Sequence, residues 1–296
     1  MKAAPFAYHR PDSVKEALEL LAEYGEEAKI LAGGQSLVPM LAMRLTHFDN
    51  LIDISRLDEL QNIHLDEGHI VVGAGTTHAL VGMDDEVADS VPLLTLGTPY
   101  IGHFQIRTRG TLGGAIAHAD PAAEYAAVAL ALDAQMDAVS TRGQRQIPAS
   151  EFFTGLWETS LASDEILTAV RFPVWGGRSG FAIEEFARRH GDFAIAGAAI
   201  GLQVDDDDRV TRCGIGLLGL GSTPVRGAAG EQAVIGRPLR DIAPDDIGRL
   251  TMAEISDIPA DLQGSAEYRS RVGAVMVSRA LTAAIREVTT EVSIHA

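Results

Sequence analysis

Behind Ser13 and Glu16, spaced as a capping box, the apolar residues Val14, Ala17, Leu18 and Leu21 recur at helical spacing. Gly25 ends this predicted helix, and Ala28-Lys29-Ile30-Leu31 reads as a buried strand. Ala32-Gly33-Gly34-Gln35-Ser36 follows, then a helical pattern from Leu37 to Leu45 and a second strand, Asn50 to Ile54. Helix, strand, glycine turn, helix and strand make a small α/β unit.

From about residue 60 the texture shifts to short strands. Leu60 to Leu65 and Ile70 to Gly73 flank Asp66-Glu67-Gly68, a hairpin signature. A helix is predicted over Leu93 to Ile101, followed by a second glycine turn, Gly110-Thr111-Leu112-Gly113-Gly114-Ala115. Ala122 to Leu132 is apolar on every face and reads as a buried helix. Phe152 to Leu161 looks like a helix-and-loop passage, and Ile166 to Phe172 a strand ending at Pro173. The stretch from Pro173 to Gly177 marks a domain boundary, giving units of 1–55, 56–175 and 176–296. Beyond it, Phe181 to Phe186, Gly197 to Val204 and Val210 to Leu217 read as strands, with Asp205 to Asp208 as a solvated hairpin tip. Two helices, Asp245 to Ile255 and Tyr268 to Val288, close the chain.

Composition narrows the function. A net charge of −17 argues against a nucleic-acid partner, because neutralising phosphates needs clustered Lys and Arg. No apolar run approaches the roughly 20 residues that span a bilayer, and the N-terminus lacks a signal-peptide apolar core, so a soluble cytoplasmic protein is expected. Cys213 is the only cysteine, too few for an internal disulfide or an iron–sulfur site. Redox chemistry in this chain therefore calls for a bound organic cofactor.

Three glycine stretches invite a nucleotide reading. Gly214-Ile215-Gly216-Leu217-Leu218-Gly219 matches the dinucleotide pattern, but Pro224 follows where a helix should open. Gly33-Gly34 lies between a strand and a helix, where free amides can face an anion and Ser36 adds a hydroxyl. Gly113-Gly114 reads as a second amide nest, with Thr111 before it and His118, Asp120 and Glu124 after. Two such loops suit a long ligand, although spacing alone does not name it.

The residues around these loops do. Ala32-Gly33-Gly34-Gln35-Ser36-Leu37-Val38-Pro39 resembles the first flavin loop of the FAD subunits of aerobic carbon monoxide dehydrogenase and its xanthine dehydrogenase relatives. Gln105 to Arg107, Gly110 to Gly114 and Ala117-His118-Ala119-Asp120-Pro121-Ala122 resemble the second. Arg188 to Ala194 and Gly219 to Arg226 are similar to that family's C-terminal domain. The resemblance runs from about Pro5 to Leu281. It implies an α+β protein: a vanillyl-alcohol-oxidase-type FAD-binding fold of two subdomains, plus a C-terminal α+β domain. It also implies that the amides of Ala32 to Ser36 hold the pyrophosphate, that Thr111, Gly114 and Ala115 line the second side, and that Leu31, Leu37, Ile101, His118, Asp120 and Leu167 also bind the cofactor. Glu124 would sit near the ribityl hydroxyls and Phe193 near the isoalloxazine ring, a core phenylalanine being the alternative for Phe193.

Gln35 stands where many members have His, and Ala115 where many have Asp or Asn, but both positions act mainly through the backbone. Some relatives have Lys at Glu184 or Glu185, so an acidic residue there implies a pocket that attracts electrons less. The implied assembly is a dimer of heterotrimers. A large subunit carries molybdenum, a small one carries [2Fe–2S] clusters, and this chain passes electrons through FAD to an acceptor. A self-contained flavin oxidase is the rival on the same fold, and a non-redox nucleotide-binding scaffold is a second.

Overall fold

The computed structural model describes residues 2–291. The first unit contains β1 (Ala7–His9), α1 (Val14–Tyr24), β2 (Ala28–Leu31), α2 (Leu37–Met43) and β3 (Asn50–Asp53). Its three strands form a parallel sheet in the order β1-β3-β2. Ser13 caps α1 by accepting from the Glu16 amide at 3.1 Å, while Glu16 reaches back one residue further than a capping box requires, to the Asp12 amide. Ala17, Leu18 and Leu21 of α1 pack with Ile52 and Ile54 in a small core.

The second unit holds β4 (Ile63–Asp66), β5 (His69–Gly73), α3 (His78–Val81), α4 (Asp85–Ser90), α5 (Pro92–Gly97), α6 (Phe104–Arg107), α7 (Leu112–His118) and α8 (Glu124–Ala131). It continues through β6 (Gln135–Ser140), β7 (Gly143–Pro148), α9 (Ala149–Phe152), β8 (Phe153–Gly155), β9 (Glu158–Thr159) and β10 (Ile166–Pro173). Strands β4-β5-β10-β6-β7 form an antiparallel sheet in that order. The β6–β7 hairpin escapes the hydrophobic pattern because β7 is exposed at its first four residues and carries Gln144, Arg145 and Gln146. Phe152 to Leu161 is a β-hairpin after a single helical turn, not a helix and loop. The predicted helix Leu93 to Ile101 tightens to a 3₁₀ turn at Thr98–Tyr100, because Pro99 supplies no amide to an α-helical bond.

The third unit has β11 (Arg178–Phe186), β12 (Ala196–Val204), β13 (Val210–Leu218) and β14 (Val225–Arg226) in an antiparallel sheet, with α10 (Ala228–Val234), α11 (Pro244–Ala253) and α12 (Ala266–Glu291). Asp205 to Asp208 forms the β12–β13 turn, where the Asp205 carboxylate accepts from the amides of Asp207 and Arg209. The Gly-x-Gly-x-x-Gly stretch lies in β13, so it is no nucleotide loop. Its glycines serve packing. A Cβ on Gly214 or Gly216 would fall 1.8 or 1.9 Å from the carbonyl oxygens of Ala131 or Ala127 in α8. That close approach explains why α8 is buried from Tyr125 to Ala131: its outer face lies on the third unit's sheet. The main core accordingly runs from Ile70 and Val72 through α8 to Ile183 and Leu218. It fixes Glu124, at the start of α8, between the second unit and the third.

Candidate functional site

The two glycine loops meet. A Cβ on Gly33 would lie 2.1 Å from the Arg109 carbonyl oxygen and 2.7 Å from Gly110 Cα, so only glycine lets these backbones touch. A Cβ on Gly114 would lie 3.5 Å from Ala32 Cβ, which sets α7 against the same loop. The junction borders a cleft of about 390 Å³ whose wall includes Gly33, Thr111, Arg109, Arg56 and Thr77.

The loops spend their amides differently. In the first, Gly34 adopts a left-handed φ of +71° and reverses the chain between β2 and α2. No group among the described residues accepts from the amides of Gly33, Gly34, Gln35 or Ser36. Ser36 stands at the N-cap of α2 without capping it by its side chain, and Gln35 donates to its neighbour's Gly33 carbonyl at 3.1 Å. This leaves a run of unpaired donors at the C-terminal end of a parallel strand. In the second loop, Gly113 donates to the Ala74 carbonyl at 3.0 Å and Gly114 to the Thr111 hydroxyl, also at 3.0 Å. The expected second nest is therefore a capped first helical turn. The Gly114 backbone is helical, without the positive φ that a nest needs.

The remaining expected residues fall into three groups. Leu31, Leu37, Ala115 and Ile101 are half-buried around the junction and the turn beyond Tyr100. The Arg107 guanidinium donates to the Ile101 and Gly102 carbonyls at 3.0 Å each, which gives the Gln105-Ile106-Arg107 motif a physical role: it pins that turn. The loop before β12 lies on the same turn, since a Cβ on Gly191 would be 2.9 Å from the Gly102 oxygen. Phe193, two residues on, is 64% exposed, so the core alternative for this ring is overturned. Leu167 goes the other way: its side chain lies in the core of β10, at 5% exposure.

His118, Asp120 and Glu124 form the third group. The His118 imidazole is held below its usual pKa by burial. Asp120 accepts from the Ala122 amide at 2.9 Å and from the Trp157 indole at 3.3 Å. Burial pushes Glu124 up to about 7, with the Asp120 charge adding to the rise. Glu185, on β11, is pushed up to about 8 by burial and by the Glu124 charge, and its buried Oε2 has no hydrogen-bond partner. Burial, followed by Glu184 and Glu185, also raises the Tyr100 phenol. Three sequence-distant segments thus bring acids and a phenol together. Arg107, Trp157 and Tyr100 were not among the expected site residues. An aromatic at the tip of a two-residue hairpin was the available signal for Trp157, but the hairpin itself was unrecognised.

The donor set fits a flavin dinucleotide, with unpaired backbone amides for a pyrophosphate at one end and neutral acids and hydroxyls further along. The cleft volume bears on only part of such a ligand. Among the described residues no group of three or more His, Cys, Asp or Glu is placed to share a metal ion.

Comparisons with known proteins bear on the same residues. A family profile described as "FAD binding domain in molybdopterin dehydrogenase" matches residues 4–175, and one described as "CO dehydrogenase flavoprotein C-terminal domain" matches 181–284. The chain is 41% identical to the 6-hydroxypseudooxynicotine dehydrogenase complex subunit alpha of Paenarthrobacter nicotinovorans, over 96% of both chains. It is 40% identical to the caffeine dehydrogenase subunit beta of Pseudomonas sp. (strain CBB1), again over 96% of both. Among solved structures, carbon monoxide dehydrogenase from Hydrogenophaga pseudoflava superimposes with a TM-score of 0.93 at 35% identity, covering 97% of this chain and 99% of that one.

Proposed function

The chain belongs to the family of FAD-binding medium subunits of molybdenum hydroxylases, and we propose that it is the electron outlet of such a complex. In this reading a large molybdenum subunit oxidises the substrate in the cytoplasm, and the [2Fe–2S] clusters of a small subunit deliver the electrons. The FAD of this chain then passes them to an external acceptor, within a dimer of heterotrimers. When bound, the flavin supplies the ability to take electrons singly and release them in pairs.

The observation that carries the reading is the built ligand seat, in a chain with a single thiol and, among the described residues, no group of three or more His, Cys, Asp or Glu placed to share a metal ion. Gly33 to Ser36 offer unpaired amides to a pyrophosphate. Thr111, Gly114 and Ala115 bring α7 alongside, and Glu124, pushed up to about 7 by burial, offers a carboxyl whose protonated fraction can donate to a ribityl hydroxyl. Burial likewise pushes the Glu185 carboxyl up to about 8, with the Glu124 charge adding to the rise. The one thiol, Cys213, is buried in β13 with its pKa raised by that burial, and a single thiol cannot hold a cluster.

Rapid mixing tests the relay. The isolated, flavin-loaded chain is expected to leave its FAD oxidised when mixed with a substrate of the whole complex, whereas the assembled trimer reduces it. Absorbance near 450 nm, on the order of the usual flavin band, reads both. Equal bleaching in the two preparations would replace the relay with the self-contained oxidase.

A further inference from the structure

Trp157 occupies the tip of the β8–β9 hairpin with a left-handed φ of +58°. An aromatic residue strongly disfavours that conformation, and Gly or Asn would adopt it more easily. Its ring is 51% exposed, beside Leu156 at 54%, so burial of the indole does not account for the strain. What it does touch is specific. The indole lies near-parallel to the His118 imidazole, at an interplanar angle of 10° with centroids 6.2 Å apart. Its Nε1–H donates to Asp120 Oδ2 at 3.3 Å. The other Asp120 oxygen accepts from the Ala122 amide, so the carboxylate is held from both sides. A strained, solvent-facing aromatic that engages two side chains at the end of α7 and just beyond it is the pattern of a residue kept for a site and not for the fold.

We propose that Trp157 is a positioning residue of the flavin site, setting His118 and Asp120 for the cofactor and forming the outer wall of the pocket on that side. The inference rests on the reading that these two residues face the flavin. It adds a residue from the hairpin, which neither glycine loop contains. The chemistry it recognises is the cofactor's own: a half-exposed indole offers an apolar face, and the imidazole and carboxylate it holds supply polar contacts.

Three chains decide the matter: wild type, Trp157→Asn and Trp157→Phe, each prepared without flavin and titrated with FAD. Asn relieves the backbone and removes the ring; Phe keeps a ring over His118 and removes the donor to Asp120. For Trp157→Asn the flavin-free chain is expected to melt no lower than wild type, while its FAD dissociation constant rises about tenfold. Trp157→Phe is expected to fall between the two in affinity, with an altered flavin circular-dichroism band reporting the changed orientation of the pocket. Dissociation constants within about twofold of wild type in both variants would overturn the proposal. So would a loss of affinity that tracks a loss of melting temperature, since that marks a structural role; if the Asn variant does not fold, the Phe variant decides by the same criterion. A wild-type chain that takes up no FAD would instead refute the underlying assignment of the pocket, a result distinct from equal binding by all three.

Discussion

Two Gly-Gly pairs of identical appearance do different work in this molecule. Gly33-Gly34 leaves its amides, and those of the next two residues, without acceptors among the described residues, and one of its glycines takes a positive φ. Gly113-Gly114 has both amides satisfied internally and a helical backbone. The first pair leaves donors open to a ligand, and the second spends its donors on the protein. A Cβ on Gly113 would sit 2.3 Å from Ala74 Cβ, and one on Gly114 would point toward Ala32. The glycine pattern therefore reports backbone proximity in both cases, but only the fate of the amides says whether the near neighbour is a cofactor or the protein itself.

The comparison breaks most sharply at Gly33. Its backbone is not left-handed, so alanine there tests contact alone, and the 2.1 Å approach to the Arg109 carbonyl leaves the new methyl no room. Gly33→Ala is expected to force the loops apart, abolish retention of FAD through gel filtration and cost about 3 kcal/mol of stability. Normal flavin content with an unchanged denaturation midpoint would mean that the loops are not held together by this contact.

The next pair of variants separates the two glycines of the second loop. Gly113→Ala is expected to destabilise the fold by about 2 kcal/mol, because Ala74 and its strand must move, with flavin lost only as a consequence. Gly114→Val faces Thr111 and Ala32 and is expected to lose FAD while keeping a native circular-dichroism spectrum and a change in stability below about 1 kcal/mol. Flavin loss in Gly113→Ala without destabilisation would place that glycine against the ligand and erase the distinction drawn here. Full occupancy in Gly114→Val would make the second loop a purely structural turn.

How far the sequence reaches follows the same division. The first unit was legible because its signals are local: a Ser13 cap, a helical stripe from Val14 to Leu21, and glycines directly after a short strand, although that strand is half-exposed and buried only at Ala28, not throughout as its sequence implies. The strands of the third unit were legible because each is a long apolar run bounded by turn residues. The β6–β7 hairpin was missed because one strand lies exposed at the sheet edge with polar residues on both faces, so period-two alternation vanishes. For the site, the loop residues are contiguous and carry a recognisable motif. Trp157 and Tyr100 reach it through contacts of tertiary origin that no spacing encodes, Arg107 belongs to the Gln105-Ile106-Arg107 motif but acts on a turn a few residues back, and Leu167 is buried in the core of β10. The amide accounting was hidden for a related reason: the acceptor for Gly113 is Ala74, some forty residues away in the chain.

The smallest expected effect concerns charge, and it too belongs to one side of the comparison. The second loop runs on through His118 and Asp120 to Glu124, whereas no acidic residue lies within the first loop or α2. Glu124 is raised from the ordinary value of 4.5 to about 7, mainly by burial. Its folded form therefore holds a proton that the unfolded chain releases between those two values. Stability from this group is fully present below pH 4.5, falls as pH rises through the window, and is lost above about pH 7. Glu124→Gln keeps the size of the side chain and removes the titration. In the flavin-free chain the difference in unfolding free energy between wild type and variant is expected to move in the variant's favour by about 1 kcal/mol from pH 5 to pH 7, about half of the roughly 2 kcal/mol that the two pKa values imply, because the residue keeps part of its solvent exposure. Urea denaturation at a series of pH values measures it, with the difference between the two chains cancelling the titrating groups that do not feel Glu124, as Glu185 does. A pH-independent difference would mean that Glu124 is solvated and ionised in the folded chain. The start of α8 would then present a carboxylate to the cofactor, and the neutral-acid side of the pocket would have to be redrawn.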